Sequence, residues 1–143
     1  MVTLFFIPGN VPSLKNSKVK TSRGIFPSKT VTKYLQNLGV KSYSVRDKRV
    51  DEYKTRPNLF RQHLESFPTT LNYPIELGFH FVRKTKANFD FNNATQIIQD
   101  LMVAHNFIED DSMKFFIPYA YKIDDNYYSV DKENPGVYLK LEI

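Results

Sequence analysis

Between Pro74 and His105 the apolar period of this chain changes once, and that change limits the folds open to it. In "PIELGFHFV", Ile75, Leu77, Phe79 and Phe81 alternate with Glu76, Gly78 and His80, the period of a half-buried strand. In "NNATQIIQDLMVAH" the period lengthens, and Ala94, Ile97, Ile98 and Leu101 line one face of a helix. A strand that feeds a helix needs a sheet to join. "TLFFIP" (Thr3 to Ile7, closed by Pro8-Gly9), "SMKFFIPYAYKI" and "GVYLKLEI" read as its other strands. "PSKTVTKYLQNLG" reads as a helix capped by Ser28, with Val31, Tyr34, Leu35 and Leu38 on one face and Gly39 as its stop. Pro57 opens a second short helix, "NLFRQHLESF", with Leu59, Phe60, His63 and Leu64 at helical spacing. "VPSLKNSKVKTSRG" reads as loop, residues 40–56 as irregular, and "DDNYYSVDKENPG" as an exposed, turn-rich connection. The order β, basic loop, α, α, β, α, β, β gives a two-layer α/β (α+β) arrangement, a mixed β-sheet packed against helices.

The 143 residues suit a single domain, 1–143, with a core that needs no staples. Cys is absent, so disulfides and thiolate metal sites are excluded. No apolar run reaches membrane-spanning length, and "MVTLFFIPGN" lacks the basic head and long apolar run of a secretory leader. The expected location is therefore cytoplasmic. The net charge of +5 is unevenly spread. Residues 11–61 hold 13 Lys and Arg against three acidic residues, a net +10, and residues 62–143 hold seven against 12, a net −5. Such asymmetry suits a polyanion held beside a separate acidic centre.

The acidic side chains cluster around the second period. Asp90 stands just before the helix, Asn93, Gln96 and Asp100 form a polar stripe along it, and Glu109, Asp110 and Asp111 follow it. If the chain doubles back after the helix, Asp111 approaches Asp90, and carboxylates so gathered repel one another unless a cation lies between them. Oxygen ligands and the lack of Cys point to Mg²⁺, or Mn²⁺, rather than Zn²⁺. Each residue also has a plainer account. Asp90 is a good N-cap, Asp100 a solvated helix position, and "EDD" a soluble turn. His63, His80 and His105 lack ligand spacing, and no P-loop or dinucleotide-binding glycine pattern is present.

"DFNNATQIIQDLMVAHNFIEDDS", with "FFIPGNVPSLKNSK" upstream, resembles the signature of the RusA-type Holliday junction resolvases, which phages and prophages commonly encode. In that signature an Asp-x-Asp-Asn opens a helix, an Asp lies within it, and an Asp-Asp pair follows it. The resemblance runs from about Phe5 to Lys122. It implies a Mg²⁺-dependent homodimeric endodeoxyribonuclease that cuts a four-way DNA junction in a bacterial or phage-infected cell. It also implies Asp90, Asp100 and Asp111 as catalytic residues and principal metal ligands. Asp110 and Asn92 are auxiliary ligands, with Asn93 in support. Two positions depart from the signature. Its second Asp is Asn92 here, and a lysine one turn into the helix is Gln96, for which Lys84 or Lys86 are substitutes. Lys15, Lys18, Lys20 and Arg23, then Lys48, Arg49 and Arg56, are the expected phosphate contacts. Phe89 and Phe91 read as core rather than as wedges between bases. The rival expectations are a catalytically inactive branched-DNA-binding protein of the same fold, and an unrelated phage structural protein.

Overall fold

The computed structural model describes residues 1–13, 18–21 and 24–143, with side chains for residues 1–13 and 28–143. The fold is mixed α+β. Five strands form the main sheet: β1 (Val2–Pro8), β6 (Ile75–Arg83), β7 (Phe116–Ala120), β8 (Tyr128–Val130) and β9 (Gly136–Glu142). The order β1-β9-β6-β7 is antiparallel from β1 through β9 to β6, then parallel to β7. β8 pairs parallel with the last three residues of β6, beyond the stretch that β7 occupies. Two separate hairpins stand off this sheet, β2 (Lys18–Thr21) with β3 (Gly24–Pro27), and β4 (Val40–Ser44) with β5 (Arg49–Glu52). Three segments read as irregular from sequence therefore carry strands: the basic loop, residues 40–56 and the turn-rich connection. Short polar hairpins give no buried apolar period, so their pairing leaves little sequence signal.

The helices follow their caps. α1 (Lys29–Asn37) begins where Ser28 Oγ accepts the Val31 N–H at 3.3 Å, and buries Val31, Tyr34 and Leu35. It stops at Gly39, whose φ of +76° suits glycine. α2 is only Leu59–His63, capped by Asn58, whose Oδ1 accepts the Arg61 N–H at 2.9 Å. Phe60 and Leu64 are buried, but His63 points to solvent instead of joining their face. α3 (Phe91–Ala104) is capped by Asp90 and buries Ala94, Ile97, Ile98, Leu101 and Met102, among others.

The core lies between the sheet and these helices. Phe79 and Phe81 meet the Phe91 ring edge-on, and Phe5 packs against Phe67. β6 departs from its half-buried reading, because Leu77 through Arg83 are all buried. On the side of Gly78, Tyr119 and Tyr121 close over the strand, where a Cβ would come within 2.9 Å of both rings. His80 is fully buried there. Its Nδ1 lies 3.1 Å from Tyr121 O, which only accepts, so Nδ1–H donates and Nε2 accepts from Ser129 Oγ at 2.6 Å. Among the described residues no helix is long and apolar enough to cross a membrane.

Candidate functional site

The strand-to-helix connection determines where the acidic residues stand. β6 ends at Arg83, the chain turns through Lys84–Phe89, and Asp90 adopts an extended conformation (φ −97°, ψ 113°) at the mouth of α3. Its Oδ1 accepts the Asn93 N–H at 3.1 Å. The plain account of Asp90 thus holds locally: it satisfies an otherwise unpaired amide and places negative charge at the positive end of the helix. Asn92 is exposed, and its backbone carbonyl accepts from Thr95 Oγ1 at 3.0 Å. Asn93 reaches across to the N-terminal segment, its Nδ2 donating to Ser13 O at 3.4 Å.

One turn further along, two carboxylates from distant positions converge. Gln96 Nε2 donates to Asp100 Oδ1 at 2.7 Å and to Asp111 Oδ2 at 2.9 Å. The first contact follows from the i, i+4 spacing of a helix. The second requires the chain to return after Ala104, which it does through the turn that precedes β7. Asp110 supports that turn: its Oδ1 accepts the Asp111 N–H at 2.8 Å, while its side chain remains exposed. Gln96 therefore lies between two anions that would otherwise repel each other, and it offers them both N–H bonds of one neutral amide.

A third element, β4, packs against α3 on the side of Asp100. Tyr43 of β4 is half-buried, and its phenol pKa is pushed up to about 12, first by burial and then by the negative charge of Asp100. The β4–β5 hairpin is also held to the end of α3, where Asn106 Nδ2 donates to Lys48 O at 3.3 Å. Lys48 occupies the tip of that hairpin with a φ of 49°. Arg49 stands 3.9 Å from Asp51 in an exposed pair, and Arg56 lies 3.8 Å over the Tyr53 ring. The basic hairpin is thereby a neighbour of the acidic pair. Lys84 and Lys86 are exposed on the turn before Asp90, and neither forms an ion pair among the described residues. Lys15 and Arg23 lie outside the described residues, as do the side chains of Lys18 and Lys20 on β2. Phe89 and Phe91 pack on Phe81, in agreement with their reading as core.

Comparison of the chain with family models, curated proteins and solved structures finds no match. The chemistry of the site must be read from its own residues.

Those residues suit a hard cation in a limited way. Among the described residues no three acidic or histidine side chains gather closely enough to hold a metal ion. Asp100 and Asp111 do form a close pair, and Mg²⁺ commonly takes one or two carboxylates, completing its shell with water and substrate phosphate. The amide between them carries an oxygen as well as its NH₂, so Gln96 can turn either group inward. One residue beside this arrangement escaped the sequence reading: Tyr43 sits in a hairpin without a legible period.

Proposed function

We propose that this chain is a Mg²⁺-dependent endodeoxyribonuclease acting on branched DNA, of the Holliday junction resolvase kind. The observation that carries the reading is the Gln96 amide shared by Asp100 and Asp111. The residues carried over by the resemblance include these two, and the fold brings them together from opposite ends of a helix and turn.

A phosphodiester resists hydrolysis because both the nucleophile and its target are negatively charged. Asp100 and Asp111 would hold the ion, with water and substrate phosphate completing its shell, while Asp90 caps α3 and Asp110 braces the turn that presents Asp111. Mg²⁺ there would supply a hydroxide-like water and offset charge at the phosphoryl oxygens. Gln96 fixes the spacing of the two carboxylates, and Asn93 ties the helix start to the N-terminal segment. Lys48 and Arg56 on the β4–β5 side would hold flanking phosphates, with Lys84 and Lys86 on the other approach. Paired cuts across a junction require two sites, hence a homodimer with a two-fold axis, working in the cytoplasm of a bacterial or phage-infected cell.

The test is cleavage of a synthetic four-way junction in Mg²⁺ and in EDTA. Wild-type protein should cut only with the metal, while Asp100→Asn and Asp111→Asn should bind the junction without cutting it. Full cleavage by both variants would remove the acidic pair from the chemistry. A second reading, a branched-DNA-binding protein without cleavage, is favoured by the capping role of Asp90 and by the neutral Asn92 and Gln96. It predicts Mg²⁺-independent binding and no product from the wild type.

A further inference from the structure

Arg83 has a buried charge for which the described structure offers no counter-charge. The residue is only 9% exposed, at the end of β6. One guanidinium nitrogen, Nη1, donates to Val11 O, and the guanidinium carbon lies 4.6 Å over the Phe89 ring. Burial lowers its pKa from the usual arginine value, but a guanidinium does not surrender its proton under ordinary conditions. Among the described residues no carboxylate pairs with it. The nearest acid along its strand pairing is Asp131, whose N–H donates to Arg83 O. That carboxylate is turned to its own loop, accepting the Glu133 and Asn134 N–H groups. One carbonyl and one ring face are weak compensation for five N–H donors and a full charge.

The surroundings are cationic and lead into the start of α3. Lys84 and Lys86 follow directly and are exposed. The Lys84 N–H donates to Asn10 Oδ1, so the segment Asn10–Ser13 is held by Arg83, Lys84 and Asn93 together. Phe89, the ring beneath the guanidinium, directly precedes Asp90. The only buried side-chain polar atoms without a partner among the described residues are the Tyr34 and Tyr121 hydroxyls. None of the Arg83 nitrogens is among them, so those not bonded to Val11 keep some contact with solvent.

We infer that Arg83, flanked by Lys84 and Lys86, is a preformed seat for one backbone phosphate of the nucleic acid. The inference rests on the branched-DNA reading and adds a contact that neither charge counting nor the resemblance supplies. A planar fork of donors matches two phosphate oxygens, and the Phe89 face below keeps that fork in one orientation. Arg83 would thereby hold a bound strand at the approach to α3.

Two measurements decide it. In EDTA, where nothing is cut, four-way-junction binding is followed across a salt series for wild type, Arg83→Gln, Arg83→Lys and Lys84→Ala/Lys86→Ala. Arg83→Gln should weaken binding and reduce the log–log salt slope by about 0.9, while Arg83→Lys keeps most of the slope. An Arg83→Gln protein that melts earlier but keeps the full slope would show Arg83 to be a clamp on Asn10–Ser13 only, and would overturn the seat. The second measurement uses wild-type protein and so survives a variant that fails to fold. The Arg83 Nε–Hε resonance is titrated with inorganic phosphate and with a short single-stranded oligonucleotide. Saturable movement with the oligonucleotide supports the seat; movement with inorganic phosphate alone marks a free-anion site and overturns the nucleic-acid assignment. A protein whose Arg83 resonance follows the oligonucleotide but that does not prefer the junction to duplex would sink the branched-DNA reading and leave the seat standing.

Discussion

At Gln96 the side-chain amide holds Asp100 and Asp111 at hydrogen-bonding distance, where a charged group or an ion would otherwise have to stand. A metal that binds only the folded pair stabilises the protein by mass action. Adding Mg²⁺ should therefore raise the melting temperature of the wild type, and Asp111→Asn should abolish that rise even where the variant folds normally. A melting temperature indifferent to Mg²⁺ in both proteins would count against the ion. His105 offers a separate residue-scale prediction. Its Nδ1 lies 2.7 Å from Leu101 O and so carries the proton, leaving Nε2 to accept from Asn58 Nδ2 at 2.9 Å. Protonating Nε2 would set two donors against each other in the core. Burial, the largest cause, lowers the His105 pKa to about 4 from 6.5. Since the unfolded chain takes up the proton first, this stability is fully present above about pH 6.5 and is lost as pH falls toward 4. Its size is on the order of 3 kcal/mol. Denaturant titrations at pH 7 and pH 4, compared between wild type and His105→Gln, should show the smaller pH dependence in the variant.

At the scale of the elements, caps and close approaches decide the boundaries. Ser28 closes the start of α1 with one hydrogen bond, so Ser28→Ala should cost about 1 kcal/mol in denaturant unfolding. Gly39 ends the same helix at a positive φ, and a Cβ there would stand 2.0 Å from Pro57 O. That oxygen is backbone, so the joint with α2 must move; Gly39→Ala should cost well over the ~1 kcal/mol of left-handed strain alone. The β4–β5 hairpin carries a binding prediction instead. Lys48 sits at its tip and Arg56 shortly after it, beside the α3 end. Replacing both by Ala should lower the salt slope of junction binding by about two with little change in melting temperature. An unchanged slope would move the DNA path away from this hairpin.

For the molecule as a whole, the uneven charge becomes an arrangement in space. The basic segment supplies the two hairpins and the short helices, while most of the acidic residues lie in the connections that join β6, α3, β7, β8 and β9. Phe91 of α3 packs on Phe79 and Phe81 while Tyr119 and Tyr121 close over Gly78, so β6 is buried from Leu77 to Arg83. On the proposed reading, paired cutting would need two copies of this body on one junction. Mixing wild type with an excess of Asp111→Asn protein should then give junctions nicked in one strand, seen on a denaturing gel as products without their symmetric partner. Paired products in the same proportion as the wild type alone would show that one copy makes both cuts.

The amino-acid order by itself determined the elements whose burial is periodic. The alternation around Phe79 and the helical stripe from Ala94 to Leu101 could satisfy their apolar faces in only one secondary structure each. Ser28, Gly39 and Asp90 marked boundaries because capping is local chemistry. Tertiary structure alone decided the rest. The polar hairpins carried no apolar period to reveal them, and Tyr43 came near Asp100, and Arg83 onto Val11, only when distant segments folded together. The convergence of Asp100 with Asp111 depends on a turn after α3 whose direction no local spacing dictates. Chain order can name two carboxylates as neighbours of a helix, but only packing against the sheet brings them to the same nitrogen.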